Sequence, residues 1–198
     1  FRQAAEGGYP RAWHFLGLSY DQGTGVEQNA QEAFRCFLAA AQGDYTEALC
    51  QTGMCYYFGH GTERDYDRAA EYFCRGAERE HPRSMTRLGV CYETGDGVEK
   101  KPRYAAYMYH RAALQGHPEA MLRLGICYET GVGTEKDPAI AANLYRRAAE
   151  GGYPMGRCNL GVMYFFGQGV EKDLKKAAYC FAQAAEQRLE HVGQVGHE

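Results

Sequence analysis

The chain has 198 residues, 45% of them hydrophobic, and its 25 acidic residues outweigh 22 Lys and Arg to leave a net charge of −3. That balance offers no basic field to attract nucleic acid or anionic lipid, and no run approaches the roughly 18 apolar residues of a membrane span. Eight cysteines are present without a CxxC or CxxH pair, so the usual ligand spacing of a structural zinc site is missing.

In chain order, Phe1, Ala4, Ala5 and Gly8 match the close of every later unit. The chain is therefore expected to open inside a repeat, where a signal peptide would not be visible. From there four columns return at a constant interval of 36 residues: Gly17, Gly53, Gly89, Gly125 and Gly161; Tyr20, Tyr56, Tyr92, Tyr128 and Tyr164; Gly23, Gly59, Gly95, Gly131 and Gly167; Gly25, Gly61, Gly97, Gly133 and Gly169. Self-similarity at this period marks a stack of one supersecondary unit. The expected layout is a partial unit at 1–9, repeats at about 10–45, 46–81, 82–117, 118–153 and 154–188 forming one domain over 1–188, and a tail at 189–198.

The fourth unit shows what each repeat builds. Ala120, Leu124, Ile126, Cys127 and Tyr128 recur at helical spacing, which predicts a first helix, A, from about Pro118 to Thr130. Gly125 lies mid-helix, where it costs about 1 kcal/mol relative to Ala, so it is expected to admit a close neighbour. Gly131 suits the left-handed residue that ends a helix and Gly133 the turn after it. Asp137-Pro138 restarts the chain, the carboxylate accepting from free amides and Pro fitting the first helical position. Helix B then carries Ala141, Leu144, Tyr145, Ala148 and Ala149, with Phe37, Phe73, Tyr109 and Phe181 as the counterpart rings. Gly8, Gly43, Gly116 and Gly152 are expected to close units, with a one-residue slip at Gly43. Each unit is thus an antiparallel helix pair that buries its apolar faces only by stacking.

The run Leu160-Gly161-x2-Tyr164-x2-Gly167-x-Gly169-Val170-x2-Asp173-x2-Lys176-Ala177 and its four copies resemble the Sel-1-like repeat family, relatives of tetratricopeptide repeats. The resemblance implies an all-α, right-handed α-α superhelix (solenoid) of five helix pairs plus a partial N-terminal helix. It also implies a non-enzymatic scaffold or adaptor that binds a peptide or protein in a concave groove lined by the A helices. Thr52, Ser84, Gly156 and Lys101 depart from the family pattern. A secreted bacterial branch of the family, linked to penicillin binding or weak β-lactamase activity, pairs cysteines about eight residues apart. The positions such pairing needs hold Ala41, Ala77, Ala113, Ala149 and Ala185 here, which argues against that branch. A regulatory arm of a larger enzyme is the other alternative.

Rotation at 100° per residue sets Leu122, Ile126 and Glu129 opposite an inward Ala120, Leu124 and Tyr128, flanked by Arg123 and Thr130. Carried through the repeats, the partner-binding candidates are His14, Phe15, Leu18 and Asp21; Cys50, Gln51, Met54, Tyr57 and Phe58; Thr86, Arg87, Val90 and Glu93; Arg123, Ile126 and Glu129; Cys158, Asn159, Val162, Phe165 and Phe166. Aromatic and Arg residues are common interface anchors. The apolar column Leu18, Met54, Val90, Ile126, Val162 reads either as packing between A helices or as the floor for a partner, and the terminal aromatics either as anchors or as faces that further repeats cover. Protein partners are expected; nucleic acid, membrane, metal and cofactor are not, and end-to-end self-association is allowed by open array ends.

Cys55, Cys91 and Cys127 share one repeat position with Ser19 and Met163, a small buried site, so the thiols are expected to be reduced and buried like small hydrophobes, in a cytoplasmic setting. His60 reads as a solvated turn residue, and His81 and His117, in one inter-repeat slot, as local hydrogen-bonding groups. No lysine follows the Gly-x-Gly turns at phosphate-loop spacing, and no HExxH or GxSxG motif occurs.

Overall fold

The computed structural model describes residues 9–194, and side chains over 9–186. Among them run ten helices and no strand: α1 (Pro10–Gln22), α2 (Ala30–Gln42), α3 (Thr46–Phe58), α4 (Tyr66–Glu78), α5 (Pro82–Thr94), α6 (Pro102–Leu114), α7 (Pro118–Thr130), α8 (Pro138–Glu150), α9 (Pro154–Phe166) and α10 (Leu174–Gln194). Odd-numbered helices are the A helices of the repeats and even-numbered ones the B helices. The backbone of α10 stays helical through Gln194, taking in Leu189 and Gly193. Phe1, Ala4, Ala5 and Gly8, and residues 195–198 with Gly196, lie outside the described residues.

The chain forms two compact units, Phe1–Lys101 and Pro102–Glu198. In unit 1, α1 to α5 pack each on the next in sequence. The core there holds Ala33, Phe37 and Cys55 in one cluster, with Leu18, Tyr20 and Phe34 against it. A second cluster joins Ala40, Ala41, Ala48 and Leu49 to Trp13, Tyr45 and Tyr72. In unit 2, α6 to α10 pack in the same sequential way around buried Ala105, Tyr109, Leu124, Leu144, Tyr145, Leu160 and Met163. Small residues beside one ring let the helices approach closely. A Cβ on Gly53 would stand 2.6 Å from the Phe73 ring, so the mid-helix glycine is the slot that receives the aromatic of its own B helix.

Helix ends follow from local chemistry. Asn29, Asp65 and Asp137 accept backbone amides at the starts of α2, α4 and α8. At the starts of α5 and α7, His81 and His117 do the same work through Nδ1, which accepts from the amides of Ser84 and Ala120. In the turns after α3, α5, α7 and α9 the second glycine also ties one repeat to the one before it. Gly61 has φ 71°, and a Cβ there would collide with the Ala30 carbonyl in the first turn of α2.

The residue that closes each unit differs from the expected glycine in one place. Gly43 has φ −80°. The left-handed slot is one residue later and holds Asp44 (φ 63°), Glu80 (φ 56°), Gly116 (φ 83°) and Gly152 (φ 81°). The slip at Gly43 thus reflects an aspartate accepting the left-handed conformation, which Asp tolerates better than most residues.

Candidate functional site

Each interior A helix of a unit is wedged between two B helices: α3 packs on both α2 and α4, and α9 on both α8 and α10. Two apolar contacts on different sides leave only a narrow stripe for solvent. This geometry corrects part of the expected partner-binding set. His14 is buried, its ring against Phe15, Phe37 and Tyr45. Cys50, Thr86 and Leu122, in the same column as His14, are buried too. In α3 and α7, facing away from one B helix turned Cys50 and Leu122 toward another. Leu18 is half-buried and packs on the core cluster of unit 1.

What stays open in unit 1 centres on α3. Gln51, Met54 and Phe58 line a cleft of about 280 Å³ together with Asp21, His60 and Arg83, and the cleft reaches Phe37 and Cys55 of the core. Phe58 is 63% exposed. His60 Nε2 lies 2.7 Å from Asp21 Oδ1 at one edge of the cleft. His60 is therefore exposed, as expected of a turn residue, yet partnered across repeats. One repeat further on, the Tyr57 hydroxyl donates to Asp96 over 2.7 Å. Both contacts span 39 residues, linking the last turn of one A helix to the glycine turn of the next repeat. That recurring register is the signal by which sequence could have found them. Burial, then the bond to Asp96, pushes the Tyr57 hydroxyl up to about 12. Tyr57 also meets Phe58, Tyr66 and Phe73 edge-on or tilted, so it supports Phe58 from beneath. Val90 and Arg87 join Met54, Tyr57 and Phe58 around a hollow of only about 10 Å³, and Glu93 is half-buried in the last turn of α5.

In unit 2 the charged candidates are committed internally. Arg123 donates through Nε to Glu119 (3.2 Å) and lies over the Tyr109 ring. Glu129 accepts the Tyr145 hydroxyl at 2.5 Å, and Asn159 meets the same hydroxyl. Burial first and Glu129 second drive that phenol well above its ordinary range. Glu129, Asn159 and Val162 border a hollow of about 80 Å³. Ile126 and Val162 are each 37% exposed, and Phe165 and Phe166 stand edge to face on the surface of α9. The apolar column is therefore partly packing and partly surface. Phe15 is half-buried beneath the Arg11 guanidinium.

The thiols belong mostly to packing. Cys36, Cys50, Cys55, Cys91, Cys127 and Cys180 are buried, whereas Cys158 is half-buried and Cys74 exposed. Burial pushes Cys55 and Cys91 up to about 12, which keeps both thiols protonated and poor nucleophiles. Among the described residues no group of three or more His, Cys, Asp or Glu is placed to hold a metal ion.

Comparison with known proteins gives a consistent picture. Five consecutive segments match the model of the Sel1 repeat: residues 10–45, 46–81, 82–117, 118–153 and 154–189. A protective antigen present in uropathogenic Escherichia coli strains, displaying an SLR fold, matches 94% of this chain at 36% identity and TM-score 0.85, and the chain spans 40% of that antigen's length. A Sel1 repeat protein from Oxalobacter formigenes matches 90% of the chain at 30% identity and TM-score 0.84, over 71% of its own length. An immunity protein from Pseudomonas aeruginosa, 20% identical over 94% of the chain and 71% of its own, shares the fold at TM-score 0.64. No curated protein matches the chain.

Proposed function

The chain belongs to the Sel1 repeat family, and on that premise we propose that it is a non-enzymatic scaffold whose A helices hold a protein segment, with α3 at the centre of the contact in unit 1. Sel1 repeat proteins are in general protein-interaction scaffolds. The observation that carries the finer reading is the α3 cleft, where exposed Phe58 and half-buried Met54 stand beside Gln51 and Arg83. An aromatic anchor next to an apolar hollow with polar groups at its rim is the composition that interface hot spots favour. An extended segment seated there sets an apolar side chain between Met54 and Phe58 and meets Gln51 and Arg83 with backbone or carboxylate oxygens. The buried, tightly packed thiols fit work in a reducing compartment such as the cytoplasm.

The test replaces Phe58 with Ala and Met54 with Glu in one array. Both side chains are at least partly exposed, so the helical circular dichroism and the unfolding midpoint should hold. Immobilised wild type and variant are compared for proteins retained from a source lysate, read by mass spectrometry. A partner held by the wild type and lost from the folded variant supports the reading. A partner set unchanged between the two overturns it.

A further inference from the structure

The B helices of unit 2 carry a surface that the scaffold reading leaves unused. On α6, Arg103, Tyr104, Tyr107, Arg111 and Leu114 stand at i, i+1, i+4, i+8 and i+11, one stripe of the helix. Tyr104, Tyr107 and Leu114 are each more than half exposed, and the Arg111 guanidinium lies over the Tyr107 ring. One repeat on, α8 sets exposed Ile140 at the position of Tyr104 and Arg147 at the position of Arg111, with Arg146 beside it. Both helices pack against α7. The sequence of α6 contains no acidic residue and that of α8 only Glu150, at its last position. Arg103, Arg146 and Arg147 form no side-chain ion pair or hydrogen bond among the described residues. Elsewhere the arginines of B helices have partners: Arg35 has Glu32, Arg68 has Asp65, and Arg75 has Asp44.

We propose that the outward face of α6 and α8 is a second docking surface, and that its occupant is an acidic protein segment carrying apolar side chains among its carboxylates. Charge complementarity selects the sign: three uncompensated guanidinium groups sit on a chain whose net charge is −3. Planar guanidinium forks match carboxylates in pairs. The apolar half of the surface selects the class. Leu114 and Ile140 offer nothing to a phosphate backbone but bury well against Leu or Phe. A long polyanion reaching past the patch meets the acidic remainder of the chain. Each 13-residue helix is about 20 Å long, so a segment of a few helical turns covers the stripe.

Fluorescence anisotropy with a fluorescein-labelled helical peptide of about four turns, Glu on one face and two leucines within it, tests this. The wild-type array should bind it, and the Arg146→Glu/Arg147→Glu variant should bind at least about tenfold more weakly. Arg103→Glu should weaken it further, and the same peptide with Gln for Glu should bind no better than the charge-reversed arrays do. Phe58→Ala, on the other surface, should leave this affinity unchanged, which separates this proposal from the scaffold reading. Circular dichroism controls for folding, and conservative Arg146→Lys/Arg147→Lys should retain most of the binding. Absence of binding by the wild type overturns the proposal. So does equal binding by the charge-reversed variant, or displacement of the peptide by single-stranded DNA or phosphatidylserine vesicles at lower charge concentration than by unlabelled peptide.

Discussion

Units 1 and 2 are cut from one 36-residue pattern, yet three of its columns are filled differently on the two sides. The ring that plugs each mid-helix glycine is sealed in unit 1, where Phe37 and Phe73 are 2% and 1% exposed, whereas in unit 2 Tyr145 is sealed and Phe181 is 39% exposed. The column of His14 is buried throughout unit 1, as His14, Cys50 and Thr86, whereas unit 2 buries Leu122 there and leaves Cys158 half-buried. The left-handed slot closing each repeat holds Asp44 and Glu80 in unit 1, Gly116 and Gly152 in unit 2. The backbone scaffold is thus held by the glycine columns, while side chains one step removed from them are free to drift in polarity and cover. A repeat tolerates this because each interface is shared only with neighbours.

The ring column gives the largest test of that view. Phe73→Ala removes a sealed side chain beside Gly53 and should cost about 3–5 kcal/mol, the range for large cavities in cores. Phe181→Ala removes a ring that already meets solvent and should cost about 1–2 kcal/mol by lost apolar area alone. Urea unfolding followed by circular dichroism reads both. Equal losses would mean that cover, as opposed to contact with the glycine slot, contributes little, and the contrast between the units would dissolve.

The second test turns a unit 1 position into its unit 2 counterpart. His14 Nδ1 is buried without a hydrogen-bond partner among the described residues, and an orphaned buried polar group costs about 1–3 kcal/mol. His14→Leu, matching Leu122, should therefore stabilise the array by about 1 kcal/mol at pH 8. Burial lowers the His14 pKa below its ordinary value, with Glu47 pulling weakly the other way. A group depressed in the folded state gives stability that is complete above the unfolded pKa of about 6.5 and lost as pH falls through the folded one. The gain from His14→Leu should accordingly be larger at pH 5 than at pH 8. His81, lowered by burial as well, is untouched by this change and sets the residual slope.

These contrasts also show what sequence could and could not disclose. The helix pairs, the left-handed caps and the glycine slots were legible because each depends on backbone geometry that few residues satisfy: Gly131 at φ 79° and Gly125 under the Tyr145 ring are demanded by the fold itself. The exposed stripe was only half legible. A rotation rule finds the side of α7 away from one partner helix, and Ile126 does lie at the surface. The rule failed at Leu122 because α7 has two B neighbours, and at His14 because Phe37 of its own B helix and Tyr45 before α3 close over the ring, tertiary facts absent from local spacing. Arg123 and Glu129 carried the right chemistry for a partner, but Glu119 and Tyr145 already engage them. The cleft needed Arg83 from a different helix, and no column of the repeat singles that residue out.

The smallest effect concerns the closing slot, and it isolates backbone strain from packing. A non-glycine residue in the left-handed region costs about 1–2 kcal/mol relative to the right-handed one, part of which glycine returns as chain entropy in the unfolded state. Glu80→Gly should consequently stabilise unit 1 by about 0.5–1 kcal/mol, and Gly116→Glu should destabilise unit 2 by a similar amount. A Cβ at Gly116 meets nothing within 4 Å, so the second change adds no clash and reports the dihedral alone. Asp44→Gly also removes the ion pair in which Asp44 accepts Arg79 at 2.6 Å, and an exposed pair of that kind contributes about 0–1 kcal/mol, which offsets part of the gain from relieved strain. If Glu80→Gly and Gly116→Glu shift the unfolding midpoint in the same direction, strain at this slot does not distinguish the units. The acidic residues of unit 1 would then be there for the charge they present and not despite the backbone they adopt.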